Sequence, residues 1–195
     1  MDTQAQATCT VGDQLPWTVM TLDYTEKLAE ITPETDLDWR PVDPSGQFCF
    51  SFAEVLMHIA DARLMFIRQL TGEQTNEGYW ATSEGPNEDG VWEFKDHGGK
   101  QAILNSLKST RVMTEHWLNK PESELLSITD GARKIFETHL KFFRDNDRDT
   151  TDYERRGAPS VMRVLNALTV HEAGHRGSLQ TMLHLKGINY VAEEA

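Results

Sequence analysis

Apolar residues recur at steps of three and four along much of the chain, and proline or glycine interrupts them where helices would end. The first run, Trp17, Met20, Tyr24, Leu28 and Ile31, predicts a helix opened by Asp13 with Pro16 in its first turn. Thr32-Pro33 closes it, because the residue before a proline avoids the α region. Residues 1 to 12 show no periodicity and are expected to form a poorly ordered lead-in, while 33 to 50 connect two helices. Ser51 followed by Glu54 gives a capping box, which satisfies two free backbone donors at the start of a second helix. That helix runs to about Leu70, and Thr71-Gly72 ends it. Its wide apolar face (Phe52, Val55, Leu56, Ile59, Phe66, Ile67, Leu70) suits a helix packed inside a bundle.

Residues 71 to 99 hold six glycines and no helical stripe, yet carry Tyr79, Trp80, Trp92 and Phe94. A segment of this length between helices reads as a crossover pinned by its aromatics, which allows the second and third helices to run parallel. The third helix follows Gly99 through Ile103, Leu107, Thr114 and Trp117 and stops near Asn119-Lys120-Pro121. Arg133 to Arg144 is compatible with a short extra helix through Phe136, Leu140 and Phe143, and the charged run Asp145 to Arg156 reads as a solvated loop. The last helix begins after Ser160, an N-cap residue, and ends at Gly187, a C′ residue. Val161, Val164, Leu165, Leu168, Leu179 and Met182 form its buried stripe. No strand alternation is long enough to build a sheet. The expected fold is all-α: a four-helix bundle with a long crossover between helices 2 and 3, spanning 1–195 as one domain.

Composition narrows the possible partners. Acidic residues outnumber basic ones 31 to 19, giving a formal net charge of −12, so nucleic acid and anionic membranes are set aside. No apolar run is long enough for a membrane span, and the N-terminus lacks the basic and apolar regions of a signal peptide, so a cytoplasmic location is expected. Cys9 and Cys49 fit no C-x-x-C pattern and read as reduced thiols, Cys49 partly buried.

Two histidines change the picture. His171 and His175 fall on the buried stripe of the last helix, one turn apart, where both imidazoles point inward. An inward imidazole costs desolvation unless its nitrogens find partners, and a shared metal ion supplies one. His58, in the middle of the second helix, faces the same core and offers a third ligand from a facing helix. Its alternative is a local hydrogen bond to Glu54 or Asp61. The segment His171-Glu172-Ala173-Gly174-His175 also matches H-E-x-x-H, but Thr181 stands where the extended zinc-protease pattern needs histidine. Glu172 is the candidate catalytic residue, near enough to touch a metal-bound water, its alternative being a surface pair with Arg176. His97, His116, His139 and His184 read as structural or solvated.

The segments SFAEVLMHIADARLMFIRQL and RVLNALTVHEAGHRGSLQTMLHLKGI together resemble the DinB-like superfamily. His-x-x-x-His followed by Arg-Gly looks like that family's closing helix, and the Trp39-Arg40-Pro41 segment is similar in placement. Many relatives have Gln where this chain has Ser178, and the stretch 121 to 157 is longer than usual. The resemblance implies a divalent metal, zinc, nickel or iron, on His58, His171 and His175. It also implies a small-molecule substrate, with a low-molecular-weight thiol as cosubstrate. Thiol transfer is then the leading reaction. Hydrolysis by a metal-bound hydroxide and a non-catalytic metal-binding or interaction role are the alternatives, and pairing into a homodimer through helix faces is compatible with a bundle.

Overall fold

Ser51 does what the capping box requires: its hydroxyl accepts from the Glu54 amide at 3.3 Å, and its own amide donates to the Glu54 carboxylate at 2.7 Å. From there helix α2 runs Phe52–Thr71 and ends at Gly72, whose φ of 75° only glycine adopts freely. The computed structural model describes residues 11–42, 49–73, 83–86, 92–94 and 96–188. Within these, α1 spans Val11–Ile31, α3 Gly99–Leu118, α4 Glu122–Leu125, α5 Asp130–Asp145, α6 Thr151–Arg156 and α7 Val161–Leu185.

The long helices α1, α2, α3 and α7 surround the core, with α1 and α2 on opposite corners. One apolar cluster joins the start of α2 to Ile103 and Leu107 of α3, Leu28 and Ala29 of α1, and Leu179 to Leu183 of α7. A second joins the end of α2 to Leu118, Leu22 and Val161 to Leu165. This pairing of ends means that α2 and α3 run parallel, as the crossover allows, and antiparallel to α1 and α7. Between the two clusters all four helices contribute polar residues. Thr25, Arg63, Thr110, Thr114 and Glu172 are all buried there.

Several expectations need correction. The inner face of α1 is Thr18, Thr21, Leu22, Thr25, Leu28 and Ala29, continued by Thr32 just past its end, while Trp17 of the expected stripe is 64 % exposed. The threonines are tolerated because Thr21, Thr25 and Thr32 donate to the carbonyl four residues back, so burial strands no hydroxyl. The helix also starts two residues before Asp13. In the crossover, β1 (Ser83–Pro86) pairs antiparallel with β2 (Trp92–Phe94), a hairpin too short to show alternation. Tyr79, Trp80 and the side chains of Trp92 and Phe94, expected to pin this segment, lie outside the described residues, as does the lead-in 1–10. The expected extra helix is α5, and the supposed solvated loop after it contains the short helix α6.

Helix α5 docks on α2 through a close backbone approach. A Cβ on Gly131 would lie 2.5 Å from the Leu70 carbonyl oxygen, so no larger residue fits there. Thr129 caps α5 and donates its hydroxyl to that same oxygen at 2.8 Å.

Candidate metal centre

His58 on α2 and His171 and His175 on α7 meet near mid-height of the bundle, each half-buried. One ring nitrogen from each converges, all lying within 4.8 Å of one another. The Nε2 atoms of His58 and His171 are 3.3 Å apart. Two nitrogens bound tetrahedrally at about 2.0–2.1 Å from one ion would be separated by roughly 3.3 Å. The observed spacing fits two ligands of a common cation, and it equally fits a hydrogen bond between one protonated and one bare ring nitrogen, since both nitrogens cannot carry a proton facing each other. Phe50 stacks beside His58 at 6.2 Å and Phe66 meets His171 edge-on at 5.9 Å, which gives the cluster apolar flanks.

Burial depresses the pKa of all three imidazoles. His58 falls to about 4, first through desolvation and then through repulsion from His175 and His171. Desolvation also lowers His171 and His175, partly opposed by the Glu172 carboxylate. Each ring is thus held neutral at pH 7, which is the form that ligates a metal. The local alternative for His58 is not realised through Glu54, whose carboxylate is taken by Arg40 and the Ser51 amide.

Glu172 is more buried than its place beside two half-buried histidines suggests, at 1 % exposure. Its oxygens accept from Arg63 Nε at 2.9 Å and Nη2 at 2.6 Å. The surface pair with Arg176 does not form, and Arg176 instead lies over the Tyr24 ring, 5.3 Å from its centroid. Arg63 also donates to the Leu107 carbonyl at 2.9 Å and approaches Glu26 at 3.7 Å, and Glu26 in turn accepts from Arg111 at 3.1 Å. Every long helix is joined by this network. Sequence reasoning missed Arg63, though its signal was present: it lies seven residues after Leu56, hence on the buried arc of α2, as Glu172 lies seven after Leu165.

The model of the DinB superfamily matches residues 18–179, a span that contains α2 and α3 whole, the larger part of α1 and α7, and all three histidines. The chain belongs to the DinB superfamily. No curated protein and no solved structure matches it. In this DinB protein the cluster combines three neutral nitrogen donors with no carboxylate among the described residues that converge on it, a set suited to a divalent transition metal. The other histidines stand apart. His97 is 3.3 Å from Asp38, the Nδ1 of His139 faces the Tyr153 hydroxyl at 3.5 Å, and His116 and His184 are exposed. Cys49 is a free, half-buried thiol on the wall of a groove that opens beside His175. No described helix is long and apolar enough to cross a membrane.

Proposed function

We propose that this DinB protein is a metal-dependent enzyme that transfers a small thiol to an electrophilic substrate, with the ion held by His58, His171 and His175. The observation that supports this is the convergence of three neutral imidazoles from two facing helices. A divalent ion there would lower the pKa of a bound thiol and keep the sulfur anionic near pH 7. In the transfer the thiol gives up its proton, its sulfur bonds to an electrophilic carbon, and the group displaced from that carbon leaves with the bonding pair.

The chain's own residues set the conditions. Three uncharged ligands leave the ion its full charge, which favours an anionic nucleophile beside it. Phe50 and Phe66 give the cluster apolar walls on two sides. Glu172 is adjacent to the cluster in sequence, but it acts as a proton acceptor only when Arg63 releases it. While paired, it holds α7 in register with α2.

Elemental analysis of untagged protein tests the foundation. Wild type is expected to carry close to one equivalent of metal, and His58→Ala and His171→Ala to lose it. Thiol consumption with a chromogenic alkyl halide should then require the loaded protein. A wild type that holds no metal and takes up neither zinc, nickel nor iron would make the cluster a buried polar feature and remove the basis for the reaction.

A further inference from the structure

A groove of about 750 Å³ opens beside His175 and follows the outer face of α7 toward Leu185. Its described lining includes no Asp, Glu, Lys or Arg, in a chain of which 26 % is charged. A ligand charge carried into it would lose hydration and meet no counter-ion among the described lining residues. Beyond His175 and Cys49, the polar side chains of its described lining are the hydroxyls of Ser178 and Thr181. Thr181 donates its own proton to the Gly177 carbonyl at 3.0 Å, so its oxygen is left to accept.

The floor also contains Gly174 and Gly177, both inside α7. Glycine within a helix is less favourable than alanine, so its presence needs a reason. Backbone conformation is not the reason, since neither residue has positive φ. Nor is crowding by the described residues, since a Cβ at either position would meet none of their atoms within 4 Å. What the missing side chains provide is a strip of bare helix backbone beside the histidine cluster, against which another molecule can lie closely.

From the groove's place next to the cluster, its uncharged lining and its glycine floor, we infer that it takes an elongated, uncharged and largely apolar small molecule whose metal-ligating head sits at His175. The body lies along α7 from Gly174 toward Leu185, roughly 16 Å at about 1.5 Å per residue. This assignment of substrate class rests on the proposed metal site.

The test uses the full chain loaded with cobalt, whose visible spectrum reports head-group binding. Three probes share one hydroxamate head: acetohydroxamate, octanohydroxamate, and the octanohydroxamate analogue ending in a carboxylate. Octanohydroxamate is expected to bind at least about thirtyfold more tightly than acetohydroxamate, and the terminal carboxylate to remove at least about tenfold of that gain. Gly177→Leu should abolish the chain-length gain while cobalt content and acetohydroxamate affinity stay within about twofold of wild type. Thr181→Leu, at an exposed position one turn further on, serves the same purpose should Gly177→Leu fold poorly. Equal affinity for all three probes overturns the inference, and so does a chain-length gain that survives both substitutions. A change of oligomeric state in Gly177→Leu with unaltered probe affinity also overturns it, since the face would then be a contact between copies. Failure to take up cobalt overturns the metal reading as well, whereas cobalt uptake with no effect of tail length overturns only the groove assignment.

Discussion

At His58 a single ring records the conflict between packing and ionisation. Burial, then the neighbouring His175 and His171, bring its pKa down to about 4 from an ordinary 6.5. Between those two values the unfolded chain holds a proton that the folded chain lacks, so stability rises with pH across this window. The contribution is complete above pH 6.5, is lost progressively as the pH falls, and is gone below about 4. The ring remains partly open to solvent, so a discounted span of about 1–2 kcal/mol is expected for the metal-free protein. Urea unfolding of metal-free wild type and His58→Leu at intervals from pH 7 to pH 4 measures it directly. Wild type should lose about 1–2 kcal/mol more than the variant, and parallel curves would show that His58 does not control acid stability.

Among the elements, α2 and α7 matter most, because they carry every candidate ligand and are joined at the same level by Arg63 and Glu172. Both partners are essentially excluded from solvent, with side-chain exposures of 1 % and 2 %. Removing one partner of such a pair strands the other, at a cost of about 3–5 kcal/mol, whereas replacing both by apolar residues is far milder. Arg63→Met is therefore expected to destabilise by about 3–5 kcal/mol, and Arg63→Met with Glu172→Met to recover most of it. Denaturant midpoints at constant slope decide the matter, and a single variant that loses less than about 1 kcal/mol would remove the pair from the bundle's main supports. The same two helices were the most legible in the sequence, since Ser51, Glu54 and Ser160 cap them and their apolar stripes are unbroken by threonine. Helix α1 was legible as a helix but not in its orientation. A threonine reads as polar in a pattern, and its bond to the carbonyl four residues back, which makes it acceptable inside, depends on a helix already being there. The histidine cluster was legible because imidazoles on an apolar stripe are conspicuous. The Arg63–Glu172 pair was not, because each half makes sense only once the other helix is in place.

Taken whole, the molecule is two apolar clusters separated by a polar belt that contains its only described group of three converging metal-ligand side chains. An ion bound in that belt would bridge α2 to α7 through His58 and His171, which are 113 residues apart in sequence. The unfolded chain cannot hold the three imidazoles together, so binding must favour the folded state. At a free metal concentration about 100 times Kd the gain is about 2.7 kcal/mol, which for a domain of this size corresponds to a rise in Tm of about 5–10 °C. Thermal unfolding with and without a chelator should show this rise in wild type, with a dependence on free metal that follows the logarithm of its concentration. His58→Ala should show almost none, because the pair left on α7 lacks the ligand from α2 on which retention of the ion depends. Equal rises in both proteins would locate the bound ion on α7 alone, and the two-helix site would then be wrong.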